Sequence, residues 1–354
     1  MTPSPADPST ATTGCCTPGS AEACSQDGAD AAAGPGACRA ERMHRRAPSA
    51  ALYMLRALHR RPPPGSPWPA LRWEGAQVPA HATASFERLT GLACVPVLPS
   101  VFVHTWTMRP LMSVLTDTGF PLPIWQALQL RTRLRSHRPL VAGGRWTLRV
   151  DVAAERRLPK GCEIDLHAGV HDADGLAWEG LTTFYWRGRR RGDDAPSALA
   201  ELPPLPRLPG PRWHAGRGAS WRFGALTGDY NPLHGSDAWA RRMGFAGAFQ
   251  HPSRAAAEAL ARIDPGVAPG ACAQQLDLWF RGPVRYGSAL ALAHAGDAAC
   301  GCFALHAGND PRPAIVGRWA CSPDAGAAAP SPDTAARVAD AARASPDLAT
   351  WSKP

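Results

Sequence analysis

The stretch from Trp221 to Ile263 gathers the residues of this chain best suited to moving protons: Asp229, His234 and His251. Asp229 and His234 stand five positions apart with Asn231-Pro232 between them, a dipeptide that favours a turn and keeps Asn231 out of helix. A turn there can aim a carboxylate and an imidazole into one cavity, where such a pair can serve as general acid and base. Each residue also has a plainer use. Asp in a loop commonly bonds its own backbone, and His251 stands evenly between capping a helix and serving a site. Asp229, His234 and His251 would also suit a metal by type, but nothing in their spacing gives a three-ligand geometry, and no metal is expected.

The elements that would position these groups follow in order. Ser236 is a suitable N-cap, 237–243 suits a short helix, and Gly244 can end it in the left-handed conformation. His251-Pro252 then opens a second helix. Proline at a first helical position costs no hydrogen bond, and Ala256, Ala259, Leu260 and Ile263 give this helix an apolar face at 3.6-residue spacing.

Gly228, Asp229, Asn231-Pro232, His234 and, downstream, His251 at a helix start resemble the MaoC-like (R)-specific enoyl-CoA hydratases and dehydratases, proteins of hot-dog fold. The resemblance implies reversible addition of water to a trans-2-enoyl thioester, with Asp229 and His234 as the catalytic pair. Gly228, Asn231, His251 and Ser253 would then line the substrate site. It implies no bound cofactor or metal, since water and an acyl-CoA or acyl-carrier-protein thioester supply the chemistry, and it places the chain in fatty acid metabolism. Two positions depart from the family pattern. Pro252 stands where the family carries a glycine whose N–H helps hold the thioester oxygen, and Leu260 stands where its hydratases often carry serine. The amides of Ser253 and Arg254 at the same helix start are the available replacements.

A repeat extends the resemblance to the whole chain. FERLTG at 86–91 echoes FGALTG at 223–228, 139–143 parallels 283–287, and 166–169 parallels 305–308, each pair roughly 140 residues apart. Leu92 then falls at the Asp229 position and Val97 at the His234 position, so the first half reads as degenerate. In that half 110–117 reads as a short helix and 126–134, 145–153, 162–171 and 177–186 as strands, with Asp172 to Gly175 turning between the last two. In the second half 252–263 reads as helix and 272–280, 288–295, 301–307 and 314–320 as strands. The expected architecture is an α+β double hot-dog, two helix-wrapped antiparallel sheets in one chain. Its parts are a disordered tail at 1–42, a degenerate half at 43–187, a linker at 188–212, a site-bearing half at 213–321 and a second tail at 322–354. The two halves would pair within one chain as subunits of a dimer do, and a further homodimer stays open.

Composition narrows the remaining classes. The 354 residues carry a net charge of +9, yet lysine occurs only at 160 and 353, and the arginine clusters at 131–138 and 187–191 come without any nucleic-acid-binding motif. Those clusters read as solvated faces or a CoA phosphate site rather than a nucleic-acid surface. The ten cysteines form neither a disulfide framework nor a zinc set. Residues 1–42 are too poor in large apolar side chains to order, Met43 begins a more structured stretch and is an alternative start, and the far tail has at most a transient helix at 333–343. Residues 49–61 place Leu52, Leu55 and Leu58 at helical spacing with a basic end. Packing onto the body is the expectation for them, with a membrane-surface helix the sharper alternative. Trp106, Trp125, Trp186 and Trp279 are expected between sheet and helix, and His104, His137 and His167 in core or surface roles. Without an apolar run of membrane-spanning length, the chain reads as a cytoplasmic protein with no membrane partner. Alternatives to hydration are a non-catalytic acyl-thioester-binding protein and a thioesterase.

Overall fold

Strand β1 (Ala40–His44) and helix α1 (Ala50–Arg56) form an N-terminal arm that precedes two repeated units. The first unit runs β2 (Pro69–Ala76), α2 (Ala80–Thr90), α3 (Ser100–Leu115), β3 (Ala127–Ser136), β4 (Trp146–Leu158), β5 (Gly161–Asp172) and β6 (Gly175–Arg187). The second runs β7 (Pro209–His214), α4 (Ser220–Thr227), α5 (Asp237–Arg242), α6 (Pro252–Leu260), β8 (Gln274–Phe280), β9 (Ala289–Gly296), β10 (Cys300–Ala307) and β11 (Ile315–Ala320). The computed structural model describes residues 40–58, 66–94, 97–192, 196–206, 209–263, 274–296 and 300–320. The two expected tails, apart from Ala40 to Arg42, lie outside the described residues, as does the expected helix at 333–343.

One eleven-stranded sheet holds both units in the order β1-β2-β4-β5-β6-β3-β8-β11-β10-β9-β7. Each unit places its first strand outermost of its own five, its second at the middle of the sheet and the other three between, and β1 adds outside β2. The units meet where β3 and β8 pair antiparallel, from Arg131 opposite Trp279 to Ser136 opposite Gln274. This is the arrangement in which two separate hot-dog subunits would extend each other's sheet, built here in one chain. Local geometry repeats as well. Helices α2 and α4 both end on a left-handed glycine, Gly91 and Gly228, as the FERLTG and FGALTG echo predicts. The bridge Val97 to Val141 matches the bridge Phe249 to Arg285, and Pro99 caps α3 as His251 caps α6. Val97 is therefore the counterpart of Phe249, not of His234, because the first unit lacks the long loop that carries the turn and α5.

The central helix of the first unit begins at Ser100 rather than 110, and every residue of it except Arg109 is buried. Its start, rich in Val, Phe and Thr, has weak helix propensity, and Pro110 resembles a helix opening. Enclosure by the sheet overrides both signals. Strand β7 lies inside the expected linker, where Pro209 and Pro211 read as spacer; as an edge strand it tolerates their missing N–H groups. Another part of the linker, Ser197 to Glu201, is strapped to the sheet. Glu163 accepts from the Ala198 amide at 2.9 Å and from Ser197, and Glu201 pairs with Arg131 and Arg133, each at 2.7 Å. Trp279 lies under this strap, its indole N–H on the Ala198 carbonyl, not between sheet and helix. Part of each arginine cluster is paired with carboxylates: Arg133 also meets Asp277, Arg138 meets Asp172, and Arg190 meets Glu155. Cys94, Cys162 and Cys302 are free thiols.

Candidate active site

The turn after α4 is fixed before any substrate is considered. Gly228 adopts φ 72°, which ends the helix and turns the chain toward Asp229. Asp229 donates its own amide to Thr227 Oγ1 at 3.0 Å, while its Oδ1 accepts the Asn231 amide at 3.0 Å. Asn231 Oδ1 in turn accepts the Leu233 amide at 3.1 Å and caps the 3-10 turn Pro232–His234. A small apolar cluster of Leu233, Ala240 and Phe249 packs α5 beneath that turn.

These bonds bring Asp229 Oδ2 to 3.6 Å from His234 Nε2, with side chains 15% and 9% exposed respectively, so a narrow window to solvent remains. His234 Nδ1 lies 3.0 Å from the Phe249 carbonyl and donates to it, leaving Nε2 as the free nitrogen of the neutral ring. His251 Nε2 donates to the Asp229 carbonyl at 3.0 Å, and its ring stacks on that of His234 with centroids 3.9 Å apart. The Nδ1 of His251 is buried without a hydrogen-bond partner. Burial opposes the charge of Asp229, but the hydrogen bond and charge that His234 supplies when its ring is protonated, with the Asn231 amide, outweigh it and hold the carboxyl below its ordinary range. Burial, then the neighbouring His234, pushes the His251 imidazole well down and keeps it neutral.

His251 precedes α6, where Pro252 has no N–H to offer. Ser253 and Arg254 follow, both buried, and among the described residues no acceptor bonds either backbone amide. Leu260 is half-buried against the core at the far end of the helix and does not reach this cluster. Asp229, His234 and His251 offer ligand atoms within 4.8 Å of one another. Stacking nevertheless sets the two imidazole planes only 25° apart, so a metal in the plane of one ring would lie out of the plane of the other. The geometry does not suit a shared ion.

Two residues that sequence reasoning missed come from the first half of the chain. Tyr53 of α1, fully buried, donates its hydroxyl to the Gly228 carbonyl. Arg109 of α3 donates to the Ala225 carbonyl at 2.9 Å. Nothing in the local pattern around Tyr53 points to a residue 175 positions away.

No family profile matches the chain. Over 181 residues, 51% of its length, the sequence is 27% identical to 3-hydroxyacyl-thioester dehydratase X of Mycobacterium tuberculosis, and the match spans 65% of that protein. The crystal structure of HtdX from the same organism superposes with a TM-score of 0.60 at 21% identity, covering 71% of this chain and 98% of that one. The chain has the hot-dog fold of these proteins, twice over in one chain. A MaoC-like dehydratase from Phytophthora capsici matches it with a TM-score of 0.59 at 16% identity over 73% of this chain and 96% of that one. Among the described residues the Asp229 to His234 turn stands in the second unit, while in the first unit Leu92 follows Gly91 as Asp229 follows Gly228.

Proposed function

We propose that this MaoC-like protein is an acyl-thioester hydratase or dehydratase, adding water reversibly to a trans-2-enoyl thioester to give the 3-hydroxyacyl thioester. The observation that carries the reading is the Asp229 and His234 pair, two acceptors 3.6 Å apart beside a helix start with unbonded amides. A water between the two acceptors can donate one proton to each. As its oxygen bonds C3 of the enoyl chain, the pair removes a proton from it, and a proton is delivered to C2; the reverse sequence expels water. Negative charge developing on the thioester oxygen would be held by the amides of Ser253 and Arg254 and by the favourable end of the α6 dipole, in place of the donor that Pro252 lacks. His251 and Asn231 position Asp229, the first through its carbonyl and the second through its carboxylate. The thiol carrier is CoA or a carrier protein, no cofactor is required, and the work is that of fatty acid metabolism in the cytoplasm.

Pro252 gives one specific reason for a second reading, a protein that binds acyl thioesters without turning them over. The test is loss of conjugated-enoyl absorbance with trans-2-enoyl-CoA substrates of several chain lengths. Wild type is expected to be active, and Asp229→Asn and His234→Ala to lose about 100- to 10,000-fold while melting as wild type does. A folded wild type that binds acyl-CoA in calorimetry with no turnover would replace the enzyme reading with the binding one. Full activity in either variant would remove the pair from the mechanism.

A further inference from the structure

Helix α1 has two apolar sides. Ala50, Tyr53, Met54 and Ala57, at i, i+3, i+4 and i+7, face inward: Tyr53 and Ala57 are buried, and Ala50 and Met54 pack against the core. Leu52, Leu55 and Leu58 face outward and are 57%, 59% and 72% exposed. The packing expected for these leucines is therefore not made, because Tyr53 and its neighbours already occupy the inner side. A surface helix that is apolar on both sides leaves one of them for a partner.

Charge selects the partner. Residues 42–61 hold six arginines, and no acidic residue occurs between Glu41 and Glu74. Arg42 and Arg56 turn toward Asp117, but Arg45 and Arg46 are exposed and, among the described residues, pair with no carboxylate. Arg60 and Arg61 continue the basic run in the sequence. Three aliphatic side chains projecting from one short helix make a ridge, which a fluid interface accepts by insertion while neighbouring guanidiniums reach the headgroup phosphates. We propose that α1 docks this protein on the surface of a bilayer bearing anionic headgroups, with Leu52, Leu55 and Leu58 inserted and Arg45 and Arg46 at the phosphates. The contact is peripheral, since no helix among the described residues is long and apolar enough to cross a membrane. The same helix holds the Gly228 carbonyl through Tyr53, so the docking face and the candidate site share one element.

The experiment is flotation of the full chain with vesicles of phosphatidylglycerol and phosphatidylcholine in equal parts, and with phosphatidylcholine alone. Wild type is expected to float with the anionic vesicles and far less with the neutral ones. Leu52→Ser, Leu55→Ser and Leu58→Ser are each expected to lower the partition coefficient about tenfold, and the triple variant to abolish flotation. Arg45→Gln with Arg46→Gln is expected to lower it several-fold, an effect that added salt reproduces in wild type. All these side chains are exposed, and unchanged melting would show the fold intact. Wild type remaining unbound with anionic vesicles would overturn the proposal, as would a triple variant that floats like wild type. A wild-type dimer that the triple variant converts to monomer would assign the ridge to a second copy instead.

Discussion

Tyr53 and Gly228 offer a sharp test of how the N-terminal arm supports the candidate site. A Cβ placed on Gly228 would overlap the Tyr53 hydroxyl, while the next atoms, Tyr53 Cζ at 3.3 Å and Arg109 Cγ at 3.4 Å, lie at tight but tolerable distances. Gly228→Ala is therefore expected to cost about 1–2 kcal/mol for its left-handed backbone and about 1–3 kcal/mol for the overlap. Tyr53→Phe removes a buried hydroxyl and its bond to the Gly228 carbonyl, roughly 1–3 kcal/mol. In the double variant the overlapping oxygen is gone, so only the backbone strain and the lost bond remain. The pair is then expected to be less destabilised than the sum of the single variants by about 1–3 kcal/mol. Urea unfolding of the four proteins at neutral pH measures this. Additivity within about 0.5 kcal/mol would refute the contact. Enoyl-CoA turnover by Tyr53→Phe, measured alongside, is expected to fall, since Asp229 follows directly on the carbonyl that is released.

Acid should weaken the fold through its buried imidazoles. His104 of α3 is pushed down to about 4 by burial, so between about 4 and its ordinary value near 6.5 the unfolded chain holds more protons and stability rises with pH. Going from pH 7 to pH 5 is expected to cost roughly 2 kcal/mol through His104, and His104→Leu should lose that part of the slope in denaturant titrations at the two pH values. His251, also depressed, adds to the same acid loss, and its removal should flatten the slope further. On the alkaline side His167 acts oppositely. Hydrogen bonds to Asp151 and Glu179 raise it to about 9, so its contribution is complete below about 6.5 and is lost as pH rises through 9; melting temperatures of His167→Gln should fall less over that interval than those of wild type. Replacing Asn231 by Ala removes the cap of the turn and is expected to cost about 1 kcal/mol, with a larger loss of turnover than of stability as Asp229 loses its anchor.

Much of the second unit was legible because its signals are local. Asn231-Pro232, Ser236 and Pro252 each act within a few residues, and the structure starts and stops the turn, α5 and α6 around them. Strands β4, β5, β6 and β8 to β11 follow the alternation of their side chains, and the repeat in sequence becomes a repeat in strand order. What failed locally failed for a shared reason. The start of α3 does not read as helix, and β7 looks like linker, because helix burial on every side and an edge position that tolerates proline are properties of the assembled sheet. The arginines of β3 gave no sign that Glu201 and Asp277 would neutralise them, since those partners arrive through the strap and through the pairing of β3 with β8.

By itself, then, the sequence determined the residue types of the site and their order along one turn, because backbone preferences of Gly, Asn, Pro and Asp act over a few bonds. Tertiary structure alone decided that His251 would return to the Asp229 carbonyl and stack on His234, that Tyr53 would reach Gly228, and that Leu52, Leu55 and Leu58 would be left facing outward. Those outcomes depend on which surfaces the assembled sheet covers, and no window of neighbouring residues contains that information.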